Sequence, residues 1–224
     1  MSDARTTFEL GCQTPNTPIG VSQWCNAGGK RAIDLVLTIP ALTVAGPAML
    51  LIGACVKLSS GSPVLFRQRR FGKNGVEFDC LKFRTMTHKG GGPGITRAGD
   101  PRVTRIGKVL RKWKLDELPQ LLNVLRGEMS LVGPRPDLPE FITELDTANR
   151  NALALLKPGI TGWATLHFRN EEDLLASAPP EALRSFYVQN VLPRKIALDL
   201  EYASRATFFS DLMILVKTFA AILH

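Results

Sequence analysis

From Leu35 to Val56 the chain reads L-V-L-T-I-P-A-L-T-V-A-G-P-A-M-L-L-I-G-A-C-V, without one charged side chain. About 20 apolar residues suffice to cross the hydrocarbon of a bilayer. A run this long and this uniformly apolar suits a membrane better than the core of a soluble domain. Two features set it apart from a plain span. Pro40 and Pro47 each remove a backbone donor, and Gly46-Pro47 near the middle predicts a sharp kink. Both flanks are also basic, with Lys30 and Arg31 before the run and Lys57, Arg67, Arg69, Arg70 and Lys73 after it. Positive charge keeps flanking segments on the cytoplasmic side, so both ends are expected there. A helix that enters, bends at Pro47 and returns meets both conditions. A straight signal-anchor helix accounts for the length alone.

The remainder of the 224 residues is enough for one domain with at most a small appendage. A net charge of +8 calls for an anionic partner. No block of like charge and little aromatic interleaving argue against nucleic acid, which leaves a membrane surface or phosphorylated substrates. Cys12, Cys25, Cys55 and Cys80 are scattered without C-x-x-C spacing, as expected of a reduced compartment with neither a disulfide framework nor a zinc site. Residues 1–29, rich in Thr, Gly, Asn and Pro and without periodicity, are expected to be disordered.

The chemistry is expected between Arg111 and Pro136: R-K-W-K-L-D-E-L-P-Q-L-L-N-V-L-R-G-E-M-S-L-V-G-P-R-P. Leu118, Leu121, Leu122 and Leu125 form one apolar helical stripe, Pro119 suits a first helical turn, and Arg126-Gly127 suits a last one. Asp116 and Glu117 are therefore placed at the positive end of a short helix, where carboxylates stay ionised. Alone, that is an ordinary helix cap. Arg111, Lys112 and Lys114 precede the acids, however, and Arg135 is stiffened between Pro134 and Pro136. Carboxylates among fixed cations suit a metal and a phosphorylated substrate.

This segment closely resembles the bacterial sugar transferases that prime glycan synthesis on a lipid carrier, the monotopic phosphoglycosyl transferases or polyprenyl-phosphate hexose-1-phosphate transferases. The resemblance continues through K-R-A-I-D (30–34), C-L-K-F-R-T-M (80–86), D-P-R-V-T-R-I-G-K-V-L-R-K (100–112) and K-P-G-I-T-G-W-A (157–164). It implies an α+β, mostly helical protein. Residues 30–58 would be a re-entrant membrane helix broken at Pro47. Residues 59–224 would be a small catalytic domain on the cytoplasmic face of the bacterial inner membrane, with amphipathic interfacial helices. The partners implied are a UDP-sugar, polyprenyl (undecaprenyl) phosphate and the bilayer; a homodimer is compatible with the resemblance.

The same resemblance assigns roles. Asp116 would be the nucleophile that takes the sugar phosphate, and Glu117 its partner carboxylate; both would help to hold Mg²⁺. Arg111, Arg135 and Lys82 would bind substrate phosphates, with a solvated strand end as the plain alternative for Lys82 and its neighbour Arg84. Where many members read W-A-Q-V-N-G-R-N, this chain reads Trp163 to Asn170 as W-A-T-L-H-F-R-N. Thr165 and His167, which depart from that pattern, and Arg169, which keeps it, are the candidates for a sugar or nucleotide loop. Two rivals use the same residues differently. One is a membrane-associated metal-dependent phosphodiesterase, which would need no lipid phosphate. The other is a non-catalytic membrane scaffold, which would need neither Mg²⁺ nor Asp116.

Between these motifs, short strands are expected at Val64–Phe66 and Val76–Phe83, a mobile Gly-rich loop at Lys89–Gly99 and a basic amphipathic helix at Val103–Trp113. Asp137–Leu156 reads as mostly helical and Lys157–Trp163 as a rigid turn. Glu171–Pro180 reads as an acidic surface excursion, and Phe186–Tyr202 and Phe209–Leu223 as helices. The last of these is apolar but interrupted by Asp211 and Lys217, so it suits an interface rather than a second span.

Overall fold

The computed structural model describes residues 20–87 and 95–223. Most of the N-terminal segment expected to be disordered, and residues 89–94 of the Gly-rich loop, lie outside the described residues. Residues 20–29 do not follow the expectation. Gln23–Asn26 form a helical turn, α1, capped by the Ser22 hydroxyl. The Ser22 amide and hydroxyl also bind the carbonyls of Ala203 and Ala206, and the Trp24 indole donates to Asp211 at 2.9 Å. Long-range partners that local composition does not reveal order this piece.

Helix α2 runs from Gly28 to Ser60 with Pro40 and Pro47 inside it. At ~1.5 Å per residue its path is about 50 Å, against about 30 Å of bilayer hydrocarbon. Its middle is bare: Val44 is 82% exposed, Leu50 78% and Leu51 70%. Both ends are tied to the body of the protein. At the start, Lys30 pairs with Asp211, Arg31 donates to the carbonyls of Val124 and Leu125, and Asp34 accepts from the Ser130 hydroxyl and the Leu131 amide. Near the end, Met49, Ile52 and Val56 pack with Phe83, Leu110 and Leu115.

Strands β1 (Leu65–Arg70) and β2 (Phe78–Phe83) form an antiparallel hairpin with Arg67 opposite Leu81. The first strand is longer than the sequence pattern indicated, because pairing with β2 carries it through Q-R-R. Beyond β2, Arg84 is buried against the end of α2. Its guanidinium donates to the carbonyls of Ser60, Gly61 and Ser62 and closes the C-terminus of α2. Helix α3 spans Arg105–Lys112, two residues later than expected, because the Thr104 hydroxyl caps it by accepting from the Gly107 amide. Gly107 is required there: a Cβ would lie 2.2 Å from the Thr85 carbonyl oxygen.

After α4 (Gln120–Arg126) a parallel pair, β3 (Ser130–Val132) and β4 (Gly159–Thr161), brings Gly133 against Gly159. The segment read as a rigid turn is thus partly a strand. Its signal was glycine: a Cβ on Gly159 would meet the Gly133 nitrogen at 2.2 Å. Short helices α5 (Pro139–Ile142), α6 (Thr147–Ala154), α7 (Trp163–His167), α8 (Glu171–Ala176) and α9 (Leu183–Phe186) follow. A π-helical stretch at Tyr187–Val191 leads into α10 (Leu192–Arg205), and α11 (Phe208–Leu223) ends the described chain. The main core joins Phe141, Ile142, Leu156, Leu175, Leu183 and Tyr187 to Leu192, Ile196 and Leu200 of α10. Helix α11 buries Ile214 but leaves Phe209, Val216 and Phe219 exposed.

Arg84→Ala would remove three charge-assisted hydrogen bonds to carbonyls at the end of α2. Because these carbonyls are partly open to water, the expected loss is about 1–2 kcal/mol of stability. Thermal unfolding of the purified protein checks this, and unchanged stability would return Arg84 to the phosphate candidates.

Candidate functional site

Asp116 and Glu117 occupy a 3₁₀ turn, Leu115–Glu117, between α3 and α4. Lys114 starts the turn with φ 53° in the left-handed region, an uncommon setting for a residue with a side chain. The acids do not cap α4 as expected. Pro119 holds the cap position of that helix, and no side chain caps it. Leu115 and Leu118 pack on the Val56–Phe83–Leu110 cluster, which turns the two carboxylates inward instead. Both are buried.

Their environments differ. Glu117 Oε1 accepts from Lys82 Nζ at 2.7 Å and from Arg135 Nη2 at 2.8 Å. Burial alone would raise its pKa; the charges of Arg135, Lys82 and Lys114 outweigh that and hold it well below the usual carboxylate range. The Glu117 charge in turn raises Arg135. Among the described residues, Asp116 Oδ1 is buried without a hydrogen-bond partner. Burial, and then the Glu117 charge, raise its pKa against the pull of Lys82, Arg111 and Lys114. Cations thus hold Glu117 low, whereas burial raises Asp116, which among the described residues has no direct partner.

The structure brings Lys82 and Arg135 onto Glu117. Lys82 leaves β2 on the face opposite Leu81. Arg135 is presented by a loop fixed on several sides. The Gly133 amide donates to Thr161 O at 2.9 Å, Gly159 N donates to Pro134 O at 2.8 Å, and Arg70 Nη1 donates to Pro136 O at 2.9 Å. Arg111 stands apart from this pair. Its Nε donates to Thr85 Oγ1 at 3.0 Å and its Nη1 to Glu172 Oε1 at 3.0 Å, and its charge reaches Asp116. Thr165, His167 and Arg169 are not drawn into the cluster. His167 is exposed, its Nδ1 2.9 Å from the Trp163 carbonyl; Thr165 Oγ1 is buried without a partner; Arg169 is exposed.

Sequence reasoning missed a second charged layer. Lys195 lies buried beneath the Arg135 loop, 3.1 Å from Glu171 Oε2 and 3.1 Å from the Tyr187 hydroxyl, which donates to Asp137 at 2.9 Å. The available signal was Lys195 beside Ile196 on the apolar stripe Leu192, Ile196, Leu200 of α10, where a lone cation requires a buried partner. Asp199, on the same helix, is buried with an unpartnered Oδ1, and burial pushes it up to about 8.

A cavity of about 410 Å³ lies on the other face of β2, lined by Arg67, Arg69, Asp79, Leu122 and Arg126 among others, and does not include the acid pair. Among the described residues no group of three or more His, Cys, Asp or Glu side chains is arranged to hold a metal. Mg²⁺ does not require such a group: it binds through one or two carboxylates together with substrate phosphates. The free Oδ1 of Asp116 beside the ionised Glu117 fits that mode.

The asymmetry of the two acids generates a pair of opposed expectations. A carboxyl raised on folding gives stability that is present at low pH and lost as pH rises through its folded value, so ionised Asp116 burdens the fold at neutral pH. Asp116→Asn should leave the melting temperature at pH 7 unchanged or higher. Glu117→Gln strands Lys82 and Arg135. Breaking a fully buried pair costs about 3–5 kcal/mol, and partial exposure here reduces that to about 2–3 kcal/mol. Melting curves of both variants check the contrast, and equal losses would contradict it.

The sequence profile of the bacterial sugar transferases matches residues 25–224. The exopolysaccharide production protein ExoY of Rhizobium meliloti is 39% identical over 212 residues, covering 86% of this chain and 84% of that protein. The UDP-glucose:undecaprenyl-phosphate glucose-1-phosphate transferase of Xanthomonas campestris is 41% identical over 200 residues, covering 87% of this chain but 38% of that protein. The protein of Aeromonas hydrophila named as a UDP-N-acetylgalactosamine-undecaprenyl-phosphate N-acetylgalactosaminephosphotransferase is 35% identical over 198 residues, covering 87% of this chain and 43% of that protein.

Proposed function

We infer the reaction of this chain from its family: it belongs to the bacterial sugar transferases, and it is a phosphoglycosyl transferase. The reaction proposed is transfer of a sugar-1-phosphate from a UDP-sugar to undecaprenyl phosphate, the priming step of an exopolysaccharide or related glycoconjugate. The observation that supports it most is the unlike acid pair: a desolvated, unpartnered Asp116 beside a Glu117 held ionised by Lys82 and Arg135. Neither a phosphodiesterase nor a membrane scaffold has a specific observation in its favour.

In the proposed course an oxygen of Asp116 attacks the sugar-bearing phosphorus of the UDP-sugar. The bond from that phosphorus to UMP breaks, UMP leaves, and an acyl phosphate holds the sugar phosphate. An oxygen of undecaprenyl phosphate then attacks the same phosphorus, the bond to Asp116 breaks, and the lipid diphosphate sugar departs. Covalent capture splits one hard displacement into two easier ones. Desolvation makes Asp116 the stronger nucleophile, and its rate should fall with acid at a higher pH than an exposed aspartate would show. Arg135 and Lys82 keep Glu117 ionised and can turn toward incoming phosphate, and Arg111 supplies a further planar donor. Asp116 and Glu117 would hold Mg²⁺, which when bound spreads the charge of the diphosphate and stabilises the leaving UMP. Sugar preference is assigned to Thr165 and His167 as members of the segment that departs from the commoner family loop, with the retained Arg169 beside them.

The membrane geometry is part of the proposal. Helix α2 bends at Pro47 and re-enters, so that its two ends and the catalytic domain share the cytoplasmic face of the inner membrane. Supporting this, residues at both ends of α2 pack on one body while Val44 and Leu50 stand free. The amphipathic α3 and the exposed apolar side of α11 would lie at the interface.

Two measurements test the reading. Purified protein, Mg²⁺ and undecaprenyl phosphate, offered a panel of UDP-sugars, should release UMP and form a lipid-linked diphosphate sugar with at least one; free sugar phosphate without any need for lipid would instead identify a phosphodiesterase. For topology, single cysteines introduced at Gly20 and Arg205 in a background without native cysteines should react only from the cytoplasmic side. Labelling of position 20 from the periplasm would exclude the re-entrant arrangement.

A further inference from the structure

We propose that Glu172 is a positioning residue for Arg111, setting its guanidinium plane for the substrate diphosphate; this rests on the transferase reading above. A guanidinium at the end of a flexible side chain binds a phosphate bidentately only if its plane is already oriented. In this protein two contacts fix that plane. Thr85 Oγ1 accepts from Nε and Glu172 Oε1 accepts from Nη1, each at 3.0 Å. Among the described residues two of its five N–H donors are used, which leaves three for phosphate oxygens. Arg111 lies in the last turn of α3, directly before the Leu115–Glu117 turn that carries the acids, and its carbonyl accepts from the Lys114 amide at 3.1 Å; its charge pulls on Asp116.

Glu172 is itself held in place. It is the second residue of α8, whose Leu175 is buried in the main core. Its carbonyl accepts from the Ala98 amide at 2.9 Å. The residue before it, Glu171, is 3.1 Å from the buried Lys195, and the Glu171 charge also raises Arg135. The acidic start of α8, which the sequence presents as a surface excursion, therefore spans the two arginines proposed for phosphate binding. Fold stability does not explain the Glu172 contact. The side chains of Arg111 and Glu172 are 22% and 51% exposed, and ion pairs at that exposure contribute about 0–1 kcal/mol. What such a contact can provide is orientation of a group whose task needs a defined plane.

The test uses the full-length protein in lipid nanodiscs with Mg²⁺, and UDP as the probe. Affinity is measured by calorimetry for the native protein, Glu172→Gln, Arg111→Ala and the double variant, with melting temperatures alongside. Glu172→Gln should weaken UDP roughly tenfold, within the range of coupling between contacting residues. KM for the UDP-sugar should rise while kcat changes little, and the melting temperature should stay within about 2 °C. In the Arg111→Ala background, Glu172→Gln should cause no further loss. Thr85→Val, which removes the other fixing contact with little change of shape, should weaken UDP similarly. Unchanged or tighter UDP binding in Glu172→Gln would overturn the proposal, as would an equal loss in both backgrounds. A native protein that binds no UDP would instead remove the transferase reading itself.

Discussion

Glu117 carries its charge between Lys82 and Arg135, and three segments far apart in the chain meet on that one carboxylate oxygen. Lys82 comes from the hairpin, Glu117 from the turn before α4, and Arg135 from the loop beside the parallel strands. Taking a carboxylate out of water is costly, and two cations at hydrogen-bond distance offset the cost. The same arrangement sets the character of its neighbour. With Lys82 and Arg135 bonded to Glu117, Asp116 is buried and, among the described residues, unpartnered, and the negative charge beside it raises its pKa further. One acid is thereby fixed as an anion and the other is left desolvated beside it.

The long apolar helix α2 is joined to this site by the polar residues at its ends. Lys30, Arg31 and Asp34 each meet a different element: α11, the C-terminus of α4, and β3. Arg84, two residues past the site lysine, seals the other end of the helix. Arg31 donates to carbonyls in the last turn of α4, and Arg84 to the carbonyl of Ser60 at the end of α2 and those of Gly61 and Ser62 just past it. Position of the catalytic turn and position of the apolar helix are thus set by shared contacts. The proposed chemistry requires this, since a soluble nucleotide sugar and a lipid phosphate must reach the same aspartate.

The elements that follow a local period were legible. The apolar run, the stripe Leu118–Leu125, the hairpin and the two C-terminal helices all show in the sequence, because burial imposes a period on residues close together in the chain. The order of residues 20–29 did not show, since Ser22 and Trp24 depend on Ala203, Ala206 and Asp211. The parallel pair β3–β4 did not show either; each strand is three residues long and rests on glycine contacts across the chain. At the site, residue types, spacing and the family resemblance singled out Asp116, Glu117, Lys82, Arg111 and Arg135 as candidates; the structure brings Lys82 and Arg135 onto Glu117 and holds Arg111 on Thr85 and Glu172. Residue types and spacing were not enough to show that Arg84 is a helix staple or that Glu171, Glu172 and Lys195 form a second charged layer. The direction of the Asp116 shift was also hidden, because desolvation is a property of the packed structure and not of the neighbouring charges in sequence.

The central claim is that Asp116 is the group that takes the sugar phosphate. The most direct measurement incubates the protein with Mg²⁺ and a UDP-sugar carrying label in the sugar, without lipid, and maps the label by peptide mass spectrometry. The account predicts one label per active site, released UMP in comparable amount, attachment at Asp116 and loss of the label in hydroxylamine, as expected of an acyl phosphate. Attachment at another residue, or full-rate formation of lipid product by the Asp116→Asn protein, would contradict it.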